Sequence, residues 1–185
     1  MDLNGLLNEF IAELGPSAID IYNEPGLQHE LALFLRPRVV PEGYRFELER
    51  NSSHFQVQGL PKSEMDIVIY RPDRSEMHCI ELKVPLQVAV PERMFQFCID
   101  LAFLEGLRRK GFASGMAPMI TNDSNFWQGT RTEALYGAFR CAEPCTGRVP
   151  ALVRRKGLQE VELASRYRFT WNPLRDGWRY LLATV

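Results

Sequence analysis

The chain has 185 residues and is most simply one domain, long enough to bury a hydrophobic core. Its formal net charge of −1 at pH 7 argues against a protein that coats nucleic acid without regard to sequence, although a local basic groove is compatible with it. No apolar run approaches the roughly 18 residues of a membrane span. Because no basic region precedes an apolar stretch at the N-terminus, we expect no signal peptide and no membrane partner.

The four cysteines, Cys79, Cys98, Cys141 and Cys145, have no paired C-x-x-C spacing. Two of them fall inside elements that we predict to be buried. We therefore expect a reduced, cytoplasmic chain without structural zinc. Cys141 and Cys145 could form half of a metal site, but the sequence offers no second pair.

Two helices are predicted before the first strand. Apolar residues at helical spacing indicate an amphipathic helix over residues 2–14. A short helical turn is expected over 17–22. The second helix begins after Asn23, a residue type that caps helices, and is expected to end at Pro37.

Glu30 lies at the edge of the buried face of this second helix. Leu27, Leu31 and Phe34 form the apolar stripe, and Glu30 is one turn from both Leu27 and Phe34. A carboxylate in that position is costly to bury without a partner. Two interpretations are open: Glu30 reaches solvent or an arginine later in the helix, or it is a third acid directed at the hairpin site described next.

Two strands, over 44–49 and 55–60, are predicted to lead into a central β-hairpin. Its arms, 64–70 and 78–84, are rich in Ile, Val and Tyr and are joined by turn-forming residues. If the turn is centred between Asp73 and Arg74, Asp66 lies directly opposite Glu81 on the partner strand.

Charged residues share one face of this hairpin. Strand side chains alternate, so Glu81 and Lys83 lie on the same face, with their Ile, Leu and Val neighbours on the other. Directly opposed residues, such as Asp66 and Glu81, have Cβ atoms roughly 4.5–5.5 Å apart, which is unfavourable for like charges unless a cation lies between them. Lys83 supplies one positive charge, and a hard divalent ion such as Mg²⁺ suits the remaining oxygen ligands.

A long helix is predicted from Pro91 to about Lys110, followed by a buried strand over 115–121. Gln96 borders the buried side of this helix, where it is either a surface residue or an amide bonded to a catalytic carboxylate or a metal-bound water. Beyond it we expect a helix over 132–139 and a loop over 143–150.

The C-terminal region carries two further patterns. Residues 154–156 form a basic cluster of the kind that most often lies in a solvated turn. Alternation over 160–171 and 178–184, around an Asp-Gly pair, predicts a terminal β-hairpin.

The charged residues and the order of elements together resemble the PD-(D/E)XK nuclease superfamily, which has the restriction-endonuclease-like fold. That family has an Asp at the second core strand and Glu-x-Lys in the third, matched here by Asp66 and Glu81-Leu82-Lys83. Glu30 occupies the place of a common acid on the first core helix, and Gln96 that of a glutamine in the later helix. Two departures leave the subfamily unassigned: Met65 replaces Pro before Asp66, and Asp100 replaces the Tyr of the RecB-like branch.

The resemblance implies an α/β (α+β) fold with a mixed β-sheet flanked by helices and a core order αβββαβ. It spans about residues 20–122 of one domain. The N-terminal helix 2–14 and the C-terminal extension 123–185, with its hairpin, lie outside it.

The resemblance also implies a metal-dependent nuclease that hydrolyses DNA, whether as an endonuclease or an exodeoxyribonuclease. Asp66 and Glu81 would hold one or two Mg²⁺ ions, with Mn²⁺ as a substitute and Glu30 helping directly or through water. Lys83 would position or deprotonate the attacking water, or stabilise the pentavalent state. Gln96 would orient the scissile phosphate or Lys83.

Other classes of function stay open on the sequence. One is a catalytically silent protein on the same fold that binds nucleic acid or protein. A second is a glycoside hydrolase with paired carboxylates, against which Lys83 argues. A third is a structural salt-bridge network. A homodimer is compatible with the sequence, which leaves open whether two copies join to cut both strands.

Overall fold

The computed structural model describes residues 1–15, 19–86, 89–153 and 157–185. Within these ranges the architecture is mixed α/β, with a mixed six-stranded sheet flanked by helices. The helices are α1 (Leu3–Leu14), α2 (Glu24–Val39), α3 (Val90–Arg109) and α4 (Leu135–Phe139), with 3₁₀ turns at Ser52–Phe55 and Ser124–Phe126. The strands are β1 (Arg45–Asn51), β2 (Glu64–Tyr70), β3 (Met77–Ile80), β4 (Ser114–Thr121), β5 (Cys145–Pro150), β6 (Glu160–Tyr167), β7 (Asn172–Pro173) and β8 (Arg179–Thr184).

The strand order across the main sheet is β1-β2-β3-β4-β8-β7. The first three strands are antiparallel neighbours, and β4 then pairs in parallel with β3. A parallel pair needs a long crossover connection, and α3 provides it. β8 returns antiparallel beside β4, while β5 and β6 form a separate two-stranded sheet.

Two hydrophobic cores lie on opposite faces of the main sheet. On one face, alternate residues such as Ile67 and Ile80 pack with α1 and α2. On the other, Val68 and Cys79 pack with α3, α4 and the small sheet. A strand whose two faces are both covered is a near-continuous apolar run, which explains the sequence of β2. No helix in the described ranges is both long and apolar enough to cross a membrane.

The two N-terminal helices begin at polar caps. The Asp2 side chain accepts a hydrogen bond from the Gly5 N–H, and the Asn23 side chain accepts one from the Gly26 N–H at 2.7 Å. Such caps satisfy backbone donors that the first turn leaves unpaired. The cap at Asn23 fixes the start of α2, and so places Glu24 beside the segment that follows β3.

Two predicted segments differ from the structure. Residues 55–60 are not a strand: the chain makes a 3₁₀ turn, and Gln56 adopts a left-handed φ of 61°. Phe55 and Val57 are buried, so the alternation reflected burial and not strand pairing. Residues 143–150, predicted as loop, contain β5, which a bulge near Gly147 interrupts.

The ends of several other elements also need correction. The predicted C-terminal hairpin is wrong for most of its length, because β6 pairs with β5, while β8 pairs with β4 and, over two residues, with β7. α2 continues through Pro37 to Val39, and α4 is shorter than predicted, beginning at Leu135. The described part of the predicted turn, 19–22, is not helical, and 16–18 and the basic cluster 154–156 lie outside the described residues.

Glu105 of α3 anchors the small sheet to the rest of the molecule. Its carboxylate accepts hydrogen bonds from the backbone N–H groups of Ala164 and Ser165, at 2.8 and 2.7 Å, and from the Tyr167 hydroxyl at 2.9 Å. Burial alone would raise the pKa of Glu105, but these donors outweigh it and lower the pKa. The charged form of Glu105 is therefore the one that holds β6 on α3.

Replacing Glu105 with Ala is expected to lower the free energy of unfolding by about 2–4 kcal/mol, since two N–H groups lose their acceptor. Urea denaturation measures the change. Glu162→Ala, at an exposed position of the same strand, is the matched control and is expected to stay within about 0.5 kcal/mol of the wild type. Equal effects of the two substitutions would contradict the anchoring role.

Candidate active site

The β2–β3 hairpin has the register that the sequence predicted. Ile67 lies opposite Ile80, and Tyr70 lies opposite Met77. The same register, continued by one residue, places Asp66 opposite Glu81. The hydrogen-bonded part of β3 nevertheless ends at Ile80, earlier than predicted.

Beyond Ile80 the chain follows β4. The Glu81 N–H donates to the Met116 carbonyl at 2.9 Å, and the Lys83 N–H donates to the Pro118 carbonyl at 3.0 Å. The Asp66 side chain replaces the missing pairing with β2, because its Oδ2 accepts a hydrogen bond from the Leu82 N–H at 2.8 Å. Asp66 thus fixes the backbone between the two predicted site residues.

The charged side chains share a face of the sheet, as predicted. Leu82 and Val84 belong to the core beneath α2. Glu81 and Lys83 point the opposite way, toward α3, where Asp100 lies 3.2 Å from the Lys83 Nζ. The structure therefore brings Asp66, Glu81 and Lys83 together.

Glu81 is the most deeply buried acid of this group. Its side chain has no solvent exposure. Oε2 accepts a hydrogen bond from the Lys62 Nζ, and Oε1 accepts one from the Cys79 Sγ at 3.6 Å. Burial raises the pKa of Glu81 well above its ordinary value, and the charge of Asp66 raises it further, against the opposing effect of Lys62.

Lys83 lies among three carboxylates. Its Nζ is 3.2 Å from Asp100, 3.5 Å from Glu24 and 3.8 Å from Asp66. Burial by itself lowers the pKa of Lys83, but the negative charges, that of Asp100 first among them, outweigh it and raise the pKa. Lys83 is therefore a protonated ammonium group at neutral pH.

Lys62 and Asp100 complete the cluster, and the sequence reading did not place either residue in it. The Lys62 Nζ contacts Glu81 and lies 3.3 Å from an Asp100 oxygen and 3.7 Å from Asp66. The Asp100 side chain is only 5% exposed, and its Oδ2, near Lys83, accepts no hydrogen bond from the described residues.

Glu24, and not Glu30, is the acid that α2 contributes. Its Oε2 accepts a hydrogen bond from the Val84 N–H at 3.0 Å, and its Oε1 faces Lys83. Residues six apart on a helix differ by about 120° in direction, so Glu30 points elsewhere. Glu30 lines a separate recess beside Asn23 and contributes no hydrogen bond or ion pair to the cluster within the described ranges.

Gln96 lies at the rim of the site. Its side-chain oxygen accepts a hydrogen bond from the Arg93 Nη1 at 2.8 Å. Both residues line a recess of about 500 Å³, which four members of the cluster also line, while Asp66 and Glu81 lie outside its lining. The other lining residues are Glu24, Pro61, Lys62, Lys83, Ile99, Asp100, Gly157 and Leu158. Gln96 thus faces the recess, while its oxygen is bonded to Arg93 and not to a carboxylate.

Helical phase carried a signal for two of the residues that were missed. Glu24 lies three and seven positions before Leu27 and Leu31, and so is closer to the centre of the apolar stripe than Glu30 is. Asp100 follows Gln96 by one turn, so the argument that selects Gln96 selects Asp100 as well. Lys62 lies in an irregular segment and has no periodic signal.

The donor set fits a divalent cation in chemistry and in charge. The cluster holds two more carboxylates than ammonium groups, and oxygen ligands suit Mg²⁺. Among the described residues, no three His, Cys, Asp or Glu side chains are arranged to hold a metal ion. The ammonium groups of Lys62 and Lys83 lie among the acids of the cluster. A cation could bind here only if an ammonium group moved.

No protein-family model, no curated protein sequence and no solved structure matches the chain.

In buffer with EDTA, Glu81→Gln is expected to flatten the pH dependence of stability. Because the pKa of Glu81 is raised, the folded chain holds this proton more tightly than the unfolded chain does. The wild type therefore loses stability as pH rises from the ordinary value of 4.5 through the raised pKa. Glutamine keeps the shape and an acceptor without the charge.

Urea denaturation of both proteins at pH 4, 6 and 8 measures this effect. The stability of the variant relative to the wild type is expected to improve with each step in pH. A difference that is constant, or that grows in favour of the wild type as pH rises, would contradict the raised pKa.

Proposed function

We propose that the chain is a metal-dependent nuclease that hydrolyses DNA phosphodiester bonds, with a restriction-endonuclease-like core of the PD-(D/E)XK type. The observation that carries the proposal is the convergence of Asp66, Glu81 and Lys83 on one face of the sheet, beside a recess that Lys83 lines. The order of the elements from α2 to β4, a helix, three strands, a helix and a strand, further supports it.

Asp66 and Glu81 would hold the cation, with Glu24 and Asp100 as the nearest additional acids. When bound, a divalent cation lowers the pKa of a coordinated water and neutralises charge on the scissile phosphate. The four carboxylates supply only oxygen ligands, which favours Mg²⁺, with Mn²⁺ as a substitute. Glu30, predicted for this role, is directed elsewhere.

Lys83 acts by its charge in this proposal. An ammonium group whose pKa is raised is a poor base, so Lys83 stabilises the negative charge that develops on the phosphate and does not deprotonate water. Its side chain is only 12% exposed, and the surrounding carboxylates hold it in one place. A fixed charge of this kind costs little reorganisation during the reaction.

Arg93 and Gln96 are partly exposed residues of the recess lining. A guanidinium group suits phosphate because it donates parallel hydrogen bonds with a fixed charge. The bond between the Arg93 Nη1 and the Gln96 oxygen orients the arginine toward the recess. In this proposal Arg93 binds the DNA backbone, and Gln96 positions Arg93.

A catalytically silent protein on the same fold is the second candidate, and Lys62 favours it. The Lys62 ammonium group already compensates the buried Glu81 and contacts two other acids. A cluster neutralised in this way can be purely structural, leaving the recess to bind nucleic acid or protein. The cleavage experiment below separates the two candidates.

The wild type is expected to cleave DNA in Mg²⁺ or Mn²⁺ and to be inactive in EDTA. Supercoiled, linear and single-stranded DNA are incubated with the wild type, Asp66→Ala and Lys83→Ala, and the products are separated on gels. Each substitution is expected to lower the rate by about 10²-fold or more, since each removes a charged group that acts on the reacting phosphate or its metal.

Asp73→Ala, in the exposed turn of the same hairpin, is the matched control and is expected to retain the wild-type rate. If the wild type and both site variants are equally inert on all three substrates, the nuclease proposal fails and the silent candidate gains. Cleavage that persists equally in Asp66→Ala would indicate a contaminating enzyme and would also contradict the proposal.

A further inference from the structure

Lys62 is the member of the cluster that the proposed reaction does not use. It precedes β2, follows Pro61, and its side chain is 24% exposed. Its Nζ is within ion-pair distance of three carboxylates. The three acids are Asp66, Glu81 and Asp100, and two of them are the proposed metal ligands.

The Lys62 ammonium group compensates the negative charge of the buried Glu81 carboxylate. Burial alone would lower the pKa of Lys62, but Glu81 and the other acids outweigh it and raise the pKa, so the group carries its charge. Without a positive charge at this point, the carboxylate of Glu81 would be buried without compensation. A buried charge that loses its partner strongly destabilises a protein.

The segment that carries Lys62 packs against α3, and the Lys62 side chain ends in the ion pairs of the cluster. Leu60 packs on α3 at Gly106, so closely that a Cβ at Gly106 would lie 3.3 Å from one Leu60 methyl carbon and nearer still to the other. Lys62 follows two residues later and reaches the cluster through a flexible four-carbon stem. Rotation about the bonds of this stem moves the ammonium group while Leu60 stays packed on α3.

We propose that Lys62 is a resident cation of the carboxylate cluster, and that a divalent metal ion binds by displacing it. The inference rests on the proposed function, because it assigns the metal to Asp66 and Glu81. Lys62 then lowers the apparent affinity for metal and keeps the buried acids compensated when none is bound. The side chain acts as an intramolecular competitor with the metal.

The expected size of the effect follows from occupancy. If the ammonium group fills the cluster about nine-tenths of the time, the apparent affinity for the metal is about tenfold below its intrinsic value. Lys62→Met removes the charge and keeps the length of the stem. It is therefore expected to bind Mn²⁺ at least about tenfold more tightly than the wild type.

Lys83→Met is the matched control for charge. It removes one positive charge from the same cluster. Lys83, however, pairs with Glu24, whereas Lys62 pairs with the proposed metal ligand Glu81. If the lysines only repel the metal by their charge, both variants gain the same affinity for Mn²⁺. Displacement of a resident cation predicts a clearly larger gain in Lys62→Met.

Isothermal titration with MnCl₂ is carried out on the wild type, both methionine variants and Asp66→Asn. A gain of tenfold or more in Lys62→Met, well above that in Lys83→Met, supports the proposal. Equal affinities of wild type and Lys62→Met, with binding lost in Asp66→Asn, overturn the displacement and leave the metal site standing. Equal gains in both methionine variants also overturn it. If no protein in the set binds Mn²⁺, both the displacement of Lys62 and the metal site itself are overturned.

Lys62→Arg covers the case in which Lys62→Met does not fold. The guanidinium group keeps the charge and pairs with carboxylates through two parallel hydrogen bonds, so it is harder to displace. Its Mn²⁺ affinity is expected to fall below that of the wild type. An affinity equal to or above that of the wild type would overturn the proposal.

Discussion

The hydrogen bond from the Leu82 N–H to the Asp66 carboxylate is the contact on which the site depends. The short hairpin sets a register that places Asp66 opposite Glu81, but the paired part of β3 ends one residue too early to hold Glu81. The Asp66 side chain provides the missing bond at 2.8 Å. The chain can therefore leave β2, follow β4, and still present Glu81 and Lys83 to α3.

Charged side chains therefore lie in the layer beneath α3 that apolar residues otherwise fill. Glu81 lies in the same buried layer as Cys79, beneath α3, and has no exposed surface. Burial of an acid at that depth is tolerated only because Lys62 compensates it, and the raised pKa of Glu81 shows that the compensation is incomplete. A protein selected for stability alone would have an apolar residue here, so the cost of this acid points to a function.

The sequence was a good guide where local geometry decides position. The hairpin register followed from a short turn and strict alternation, and the shared face of Glu81 and Lys83 followed from the pleat. The acid that α2 brings to the cluster was missed, because the argument from helical phase was applied to Glu30 and not to Glu24, which directly follows the Asn23 cap. Lys62 could not be found at all, since its position depends on how an irregular segment packs against α3. For the same reason the partner of β6 was missed: strand pairing at long range has no local signal.

A crystal structure of the chain grown with Mn²⁺, with an anomalous difference map that locates the ion, tests most directly whether the metal displaces Lys62. We expect a manganese peak in contact with the carboxylates of Asp66 and Glu81, and the Lys62 ammonium group withdrawn from them. A map with no manganese at the cluster, and with Lys62 still bonded to Glu81 in the presence of saturating Mn²⁺, would contradict it.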